Sequence, residues 1–109
     1  MACRKQKHLK QLIEIFVNDS LFKEDLPLNA FKAFLEILRN AKKKTFEACF
    51  SKETRKRLKK HKKTVKCLLS SSKSLKKRKK LFIRASKKFQ STIYDALIPD
   101  FIENCVSSS

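Results

Sequence analysis

The sequence contains no glycine and only two prolines in 109 residues. Ordinary proteins carry about 7% glycine, and tight hairpin turns depend on it, so a fold built from short β-hairpins is excluded and helices are expected. There is also no run of about 18 uncharged apolar residues, the minimum for a membrane-spanning helix. The segment Met1 to Lys10 lacks the apolar stretch of a secretory signal, so the chain is expected to be soluble and not exported by that route.

The residue patterns of common active sites are missing as well. No glycine-rich phosphate loop and no glycine-flanked nucleophile occurs, and the ten carboxylates are dispersed among lysines instead of paired in an apolar setting. Cys67 lies near Lys63 and Lys66, which would favour its thiolate, yet no partner for nucleophilic chemistry follows. The four cysteines, Cys3, Cys49, Cys67 and Cys105, are scattered without a C-x-x-C pair. His61 with Cys67, and Cys3 with His8, lack a second half-site, so no metal is expected and reduced thiols in an intracellular compartment are. The expectation is a chain that is not an enzyme, with no cofactor and no small-molecule substrate.

What the sequence does hold is positive charge beside apolar residues. Lys and Arg number 28 against 10 Asp and Glu, a net charge of +18, while 41% of residues are apolar and nine are phenylalanine. That apolar content is too high for a disordered polycation, and the length suits one domain with a modest core. Residues 1–41 carry seven basic and five acidic side chains. Residues 42–90 carry twenty-one basic and two acidic, and 91–109 carry Asp95, Asp100 and Glu103 with no base. Solvated helix faces normally mix signs, and the middle zone does not, which makes a polyanion its natural partner.

Apolar spacing outlines the helices. Leu9, Leu12, Ile13 and Phe16 share one helical face, ended by Asn18, Asp19 and Ser20. Asp25 reads as a cap and Pro27 as an early-turn proline for a second helix with the stripe Leu28, Phe31, Leu35, Leu38, widened by Phe34 and Ile37. Phe46, Cys49 and Phe50 repeat the spacing. Ser51 caps a segment from about Lys52 to Leu69 with a narrow stripe of Leu58, His61, Val65 and Leu68. The serine run 70–72 interrupts, and Ser74 caps a final long helix carrying Leu75, Phe82, Phe89 and Ala96 every seven residues, with Ile93 in support and Pro99 as its stop. The expected fold is all-α, a small bundle of about four or five helices with a strongly basic C-terminal half. It forms one domain over 1–109, comprising an apolar helical platform (1–50), basic helices (51–90) and an apolar, acidic tail (91–109).

Two stretches, Leu58-Lys-Lys-His-Lys-Lys-Thr-Val-Lys-Cys-Leu-Leu and Ser74-Leu-Lys-Lys-Arg-Lys-Lys-Leu-Phe, resemble a small basic protein of animal Polinton or Maverick elements and adintovirus-like viruses. That family's pattern is an apolar helical region, a Leu-Ser start, a basic helix, a Ser-X-X-Lys-Arg-Lys-Leu-Leu-like segment and an apolar end. Phe50-Ser51, Arg57-Leu58 and Ser74 to Phe82 stand in matching order over roughly the second half of the chain, with a looser echo before it. Where such proteins usually have a glycine pair, this sequence has Ser86-Lys87-Lys88-Phe89. The resemblance implies a virion-core or DNA-associated role, loosely comparable to the basic core peptides of adenoviruses.

The residues expected to contact phosphate are Arg55, Lys56, Arg57, Lys59, Lys60, Lys62, Lys63, Lys66, Lys76, Lys77, Arg78, Lys79, Lys80, Arg84, Lys87 and Lys88. Lysine is a flexible point charge poorly suited to bidentate reading of base edges, so binding of nucleic acid with weak sequence preference is expected, DNA before RNA. Lys76 to Lys80 and Lys59 to Lys63 also have the form of nuclear-localisation clusters, so a nuclear location is expected, and the resemblance implies a host cell's nucleus or a virion. Two other function classes compete. The helix after Ser74, with Phe82, Ile83, Phe89 and Ile93 beside its basic face, could lie on an anionic membrane. The stretch from Asp95 to Val106 could serve as a protein-interaction or homo-oligomerisation surface. Phosphorylation of Ser70, Ser71, Ser72 or Ser74, between the basic segments, would weaken polyanion binding.

Overall fold

The computed structural model describes residues 3–42 and 50–106, with side chains over 8–41 and 50–104; Phe46, Cys49 and the side chains of Cys3 and Cys105 lie outside these ranges. The described residues form six helices and no strand. They are α1 (Cys3–Val17), α2 (Leu28–Lys42), α3 (Lys52–Lys59), α4 (Lys62–Leu68), α5 (Leu75–Ile83) and α6, which starts as Lys87–Thr92. The all-α expectation holds, and the count exceeds four or five because two expected long helices are each divided.

The first division falls at Lys60 and His61. His61 leaves helical geometry (φ −111°, ψ 31°), so the stretch expected from Lys52 to Leu69 becomes α3 and α4. The second falls at Arg84 to Ser86, where Ser86 turns extended and its hydroxyl accepts the N–H of Phe89, capping α6. Ser51 and Ser74 cap α3 and α5 as expected, accepting from the N–H groups of Thr54 and Lys77. Pro27, rather than Asp25, holds the cap position of α2, its carbonyl accepting the N–H of Phe31.

Pro99 does not stop the last helix. From Thr92 the backbone continues through a wide π-helical stretch (Ile93–Leu97), a single α turn (Ile98–Phe101) and a second π stretch (Ile102–Val106). Ile98 donates to the carbonyl of Ile93, five residues back. Widening the turn before the proline makes room for a ring that would otherwise strike the carbonyl four residues earlier.

Helix α1 ends in a motif that usually requires glycine. Asp19 takes a left-handed φ of 55°. Its N–H bonds the carbonyl of Phe16 (3.1 Å), and Ser20 bonds that of Ile15 (3.0 Å). An aspartate is among the few residues that tolerate this geometry in a chain without glycine.

The core centres on phenylalanine. Phe82 of α5 is fully buried and stacks on Phe22 (4.4 Å between ring centres), with Phe34 at 4.5 Å and Phe31 at 5.5 Å in tilted contact. Around it lie Leu12, Leu35, Leu38, Leu58, Val65, Leu68, Phe89, Ile93, Leu97 and Ile98. On α1 the face turned to this core is Leu9, Leu12, Ile15 and Phe16, so Ile15 takes the place expected for Ile13. Leu21 and Leu26, in the connection to α2, are also fully covered. Helix α2 packs on α1 and α5, and α3 packs on α4 and α6. The extents of 33 × 31 × 27 Å show a globule, so the seven-residue spacing of Leu75, Phe82 and Phe89 serves a shared core and not an extended coiled coil.

Ile93, Ala96, Leu97 and Ile98 are buried within the chain, and Phe101 stacks on Phe50 with ring centres 6.2 Å apart. Tyr94 joins this end of α6 to the turn after α1, its ring stacked on Phe16 (5.2 Å) and its hydroxyl accepting the Leu21 N–H at 3.1 Å. Burial lifts the Tyr94 phenol above its ordinary value; the Leu21 N–H opposes the rise and the Asp19 carboxylate adds to it. Tyr94→Phe is expected to leave the Leu21 N–H without its acceptor and lower stability by about 1–3 kcal/mol in urea unfolding, with no loss of helix content at low urea.

Candidate nucleic-acid interface

The cationic side chains are presented by four consecutive short helices whose inner faces are apolar. On α3, Thr54 and Leu58 are buried four residues apart, one helical turn. The opposite side carries Lys56 and Lys59, both exposed. Lys60 at the end of α3, and Lys62, Lys63 and Lys66 on α4, are exposed around the buried pair Val65 and Leu68. On α5, Lys76, Lys77 and Lys80 face outward, with Arg84 just past its end, and Lys87 and Lys88 begin α6. Twelve of the sixteen expected phosphate contacts are thus exposed. Glu53 is the single acidic residue between positions 50 and 90, so local pairing leaves most of this charge uncompensated.

Four of the sixteen, Arg55, Arg57, Arg78 and Lys79, are half-buried. The cause is helical register. Arg78 and Lys79 lie three and four residues after Leu75 and just before Phe82, on the side of α5 that meets the core. Arg78 is turned to structural use: its Nη1 donates to the Leu68 carbonyl at the end of α4 (3.4 Å), and its Nε is buried. Arg55 is likewise engaged within the fold. Arg57 flanks the buried face of α3 and opens onto a cleft against α6.

What orients α3 was not apparent from sequence. Asp100, one of three acidic residues in the C-terminal stretch, reaches back to the start of α3. Its Oδ2 accepts the Ser51 N–H at 3.0 Å and the hydroxyl of buried Thr54, while the Ser51 hydroxyl accepts the Thr54 N–H at 3.2 Å. In an ordinary capping box the returning carboxylate comes from the same helix; here it comes from 49 residues away. The acceptor is charged, and such bonds are the stronger kind. Asp100→Ala is expected to cost about 1–3 kcal/mol, with Asp100→Asn milder, measured by thermal or urea unfolding.

The cationic helices border two concavities. One, of about 510 Å³, runs along α5 and is lined by Lys76, Lys79, Lys80, Arg84 and Ile83, with Leu28 and Glu24 opposite. The other, of about 230 Å³, lies between α3 and α6. The described ion pair nearest to an ordinary surface bridge, Arg39 to Glu36 at 3.0 Å, belongs to α2 and leaves this surface alone. Among the described residues there is no group of three or more His, Cys, Asp or Glu side chains placed to hold a metal. Nor is any helix among them long and apolar enough to cross a membrane. No family model, no curated protein and no solved structure matches the chain.

Proposed function

We propose that this chain is a non-enzymatic protein that binds nucleic acid with little sequence preference, double-stranded DNA first, by laying the outer faces of α3 to α6 against phosphates. The observation that carries the reading is the display of twelve exposed lysines and arginines on four packed helices with one acidic residue among them. Each phosphate neutralised by such a side chain releases condensed counterions, and that entropy drives association regardless of base sequence. Eleven of the twelve exposed cations are lysine, Arg84 being the exception, which favours neutralisation over bidentate base reading.

Packaging of a viral or virus-derived genome in a virion core is the role implied by the resemblance of the two basic segments to the Polinton- and adintovirus-encoded basic protein. The clusters Lys59 to Lys63 and Lys76 to Lys80 are largely exposed, as importin-type recognition in the host cell would need, which supports a nuclear site of action. Membrane association ranks lower because Phe82, Phe89 and Ile93, the apolar side chains it would insert, are fully buried in the chain's own core. Self-association through the stretch Asp95 to Val106 ranks lower for the same reason, since Leu97 and Ile98 are buried in the chain's own core and Phe101 and Ile102 pack against it.

Gel shifts with several duplexes of unrelated sequence, and with RNA of equal length, test the reading. Similar affinity for all duplexes is expected. A large preference for one duplex, or strong binding to anionic liposomes alongside weak binding to DNA, would overturn it.

A further inference from the structure

The cleft between α3 and α6 differs from the concavity along α5 because its cations come from both helices and no carboxylate lines it. It is lined by Arg57, Lys60, His61, Lys88, Ser91 and Thr92. Arg57 enters from the inner flank of α3, Lys60 from its C-terminal end, and Lys88 from the first turn of α6. His61 stands between them, its ring edge-on to buried Phe89 with centres 5.4 Å apart. The hydroxyl protons are already used: Ser91 donates to Asp95 Oδ2 at 2.8 Å, and Thr92 donates to the Lys88 carbonyl at 3.0 Å. The donors left to meet an incoming group are therefore the guanidinium, the two ammonium groups and the imidazole. Three like charges around a half-buried ring repel one another, and no carboxylate lines the cleft to relieve them.

We propose that this cleft is a seat for a single phosphate group, gripped by Arg57, Lys60 and Lys88 with the imidazole of His61 as a fourth contact. The inference rests on the phosphate-binding reading above and deepens it, because it assigns one defined contact, with its own chemistry, within a surface that otherwise acts through bulk charge. A cleft of about 230 Å³ has room for a phosphate group. Arginine supplies the planar fork that matches two phosphate oxygens, and the lysines supply point charge.

The seat also has a pH dependence that lysines alone would lack. In the free protein His61 is held below its ordinary value of 6.5, first by burial and then by Arg57, Lys88 and Lys60. From α4 the neighbouring Lys62 and Lys63 are exposed, and beyond Thr92 the exposed Asp95 accepts the hydroxyl of Ser91. A bound phosphate puts negative charge where there was repulsion, so the imidazole gains proton affinity and takes up a proton from solvent. Binding at the seat thus strengthens as pH falls through the imidazole range, and the added affinity is lost again as pH rises past the raised value of the complex.

The test follows the imidazole resonances of His61 and His8 by NMR in the full chain, titrated first with inorganic sulfate, whose charge is constant between about pH 5 and 8, and then with a short DNA duplex. The expected result is a rise in the titration midpoint of His61 with either probe. Lys88→Gln, at an exposed position, should remove that rise and weaken sulfate binding several-fold, whereas Lys32→Gln, exposed on α2 and outside the cationic helices, should leave both unchanged. A duplex that binds without moving His61 overturns the seat and leaves the broader reading standing. Sulfate that moves His61 in a chain that ignores duplex DNA supports the seat and overturns the nucleic-acid reading.

Discussion

Raising the salt from 50 to 200 mM is expected to weaken duplex binding by ~10³- to 10⁵-fold, the loss that follows from about six to ten phosphate contacts. Twelve exposed cations are available, and helices wrapped around a core cannot all meet one duplex at once, so six to ten is the range the geometry favours. Fluorescence anisotropy at a series of salt concentrations gives the slope of log affinity against log salt directly, at about 0.9 per contact. Replacing single exposed lysines such as Lys63 or Lys77 by Gln should lower that slope by about one each without changing stability. Arg78→Gln should behave in the opposite way: it breaks the link to the Leu68 carbonyl, so the fold suffers while the slope barely changes. A shallow slope, equivalent to one or two contacts, would mean that the charge is not used collectively and would remove the basis of the proposed function.

Phe82→Ala is expected to destabilise the chain by about 3–5 kcal/mol, since it empties the position on which Phe22, Phe31 and Phe34 converge. For a domain of this size that loss takes a large share of the whole folding free energy and lowers the melting temperature by well over ten degrees. The adjacent Leu81 is 42% exposed and provides the control. Leu81→Ala should change the melting temperature little. Because α5 carries Lys76, Lys77 and Lys80 on its outer side, loss of Phe82 should also uncouple these cations from α2, and duplex affinity should fall together with helical signal on heating. Equal melting temperatures for the two variants would show that α5 is not anchored through this ring.

Local rules succeeded where a residue acts on its own helix. Ser51 and Ser74 were recognisable as caps because each needs only the N–H three residues ahead. Ser86 meets the same need, but the seven-residue recurrence of Leu75, Phe82 and Phe89 runs across it and carries the pattern of a single helix. A break of three residues shifts the direction of the chain while keeping both phenylalanines in the core, so periodicity alone does not reveal it. Phe22, Leu21 and Leu26 give no sequence signal for a related reason: they sit in a connection without helical spacing, and their burial depends on what folds over them. The cations show both outcomes. Helical type and composition were enough to place Lys56, Lys59, Lys62 and Lys63 in solvent, whereas Arg78 and Lys79 needed the register of α5 against the core.

The amino-acid sequence by itself determined that this chain is helical, that its charge is concentrated in the middle, and that its apolar residues suffice for a core. Those properties depend on the absence of glycine, on residue counts and on spacing within single turns, all of which are local. Tertiary structure decided which carboxylate caps α3, which arginine braces α4, and that Arg57, Lys60, His61 and Lys88 face one another across a cleft. Each of these is a meeting between residues ten to forty-nine positions apart, and their geometry is fixed only when the phenylalanine core sets the helices in place.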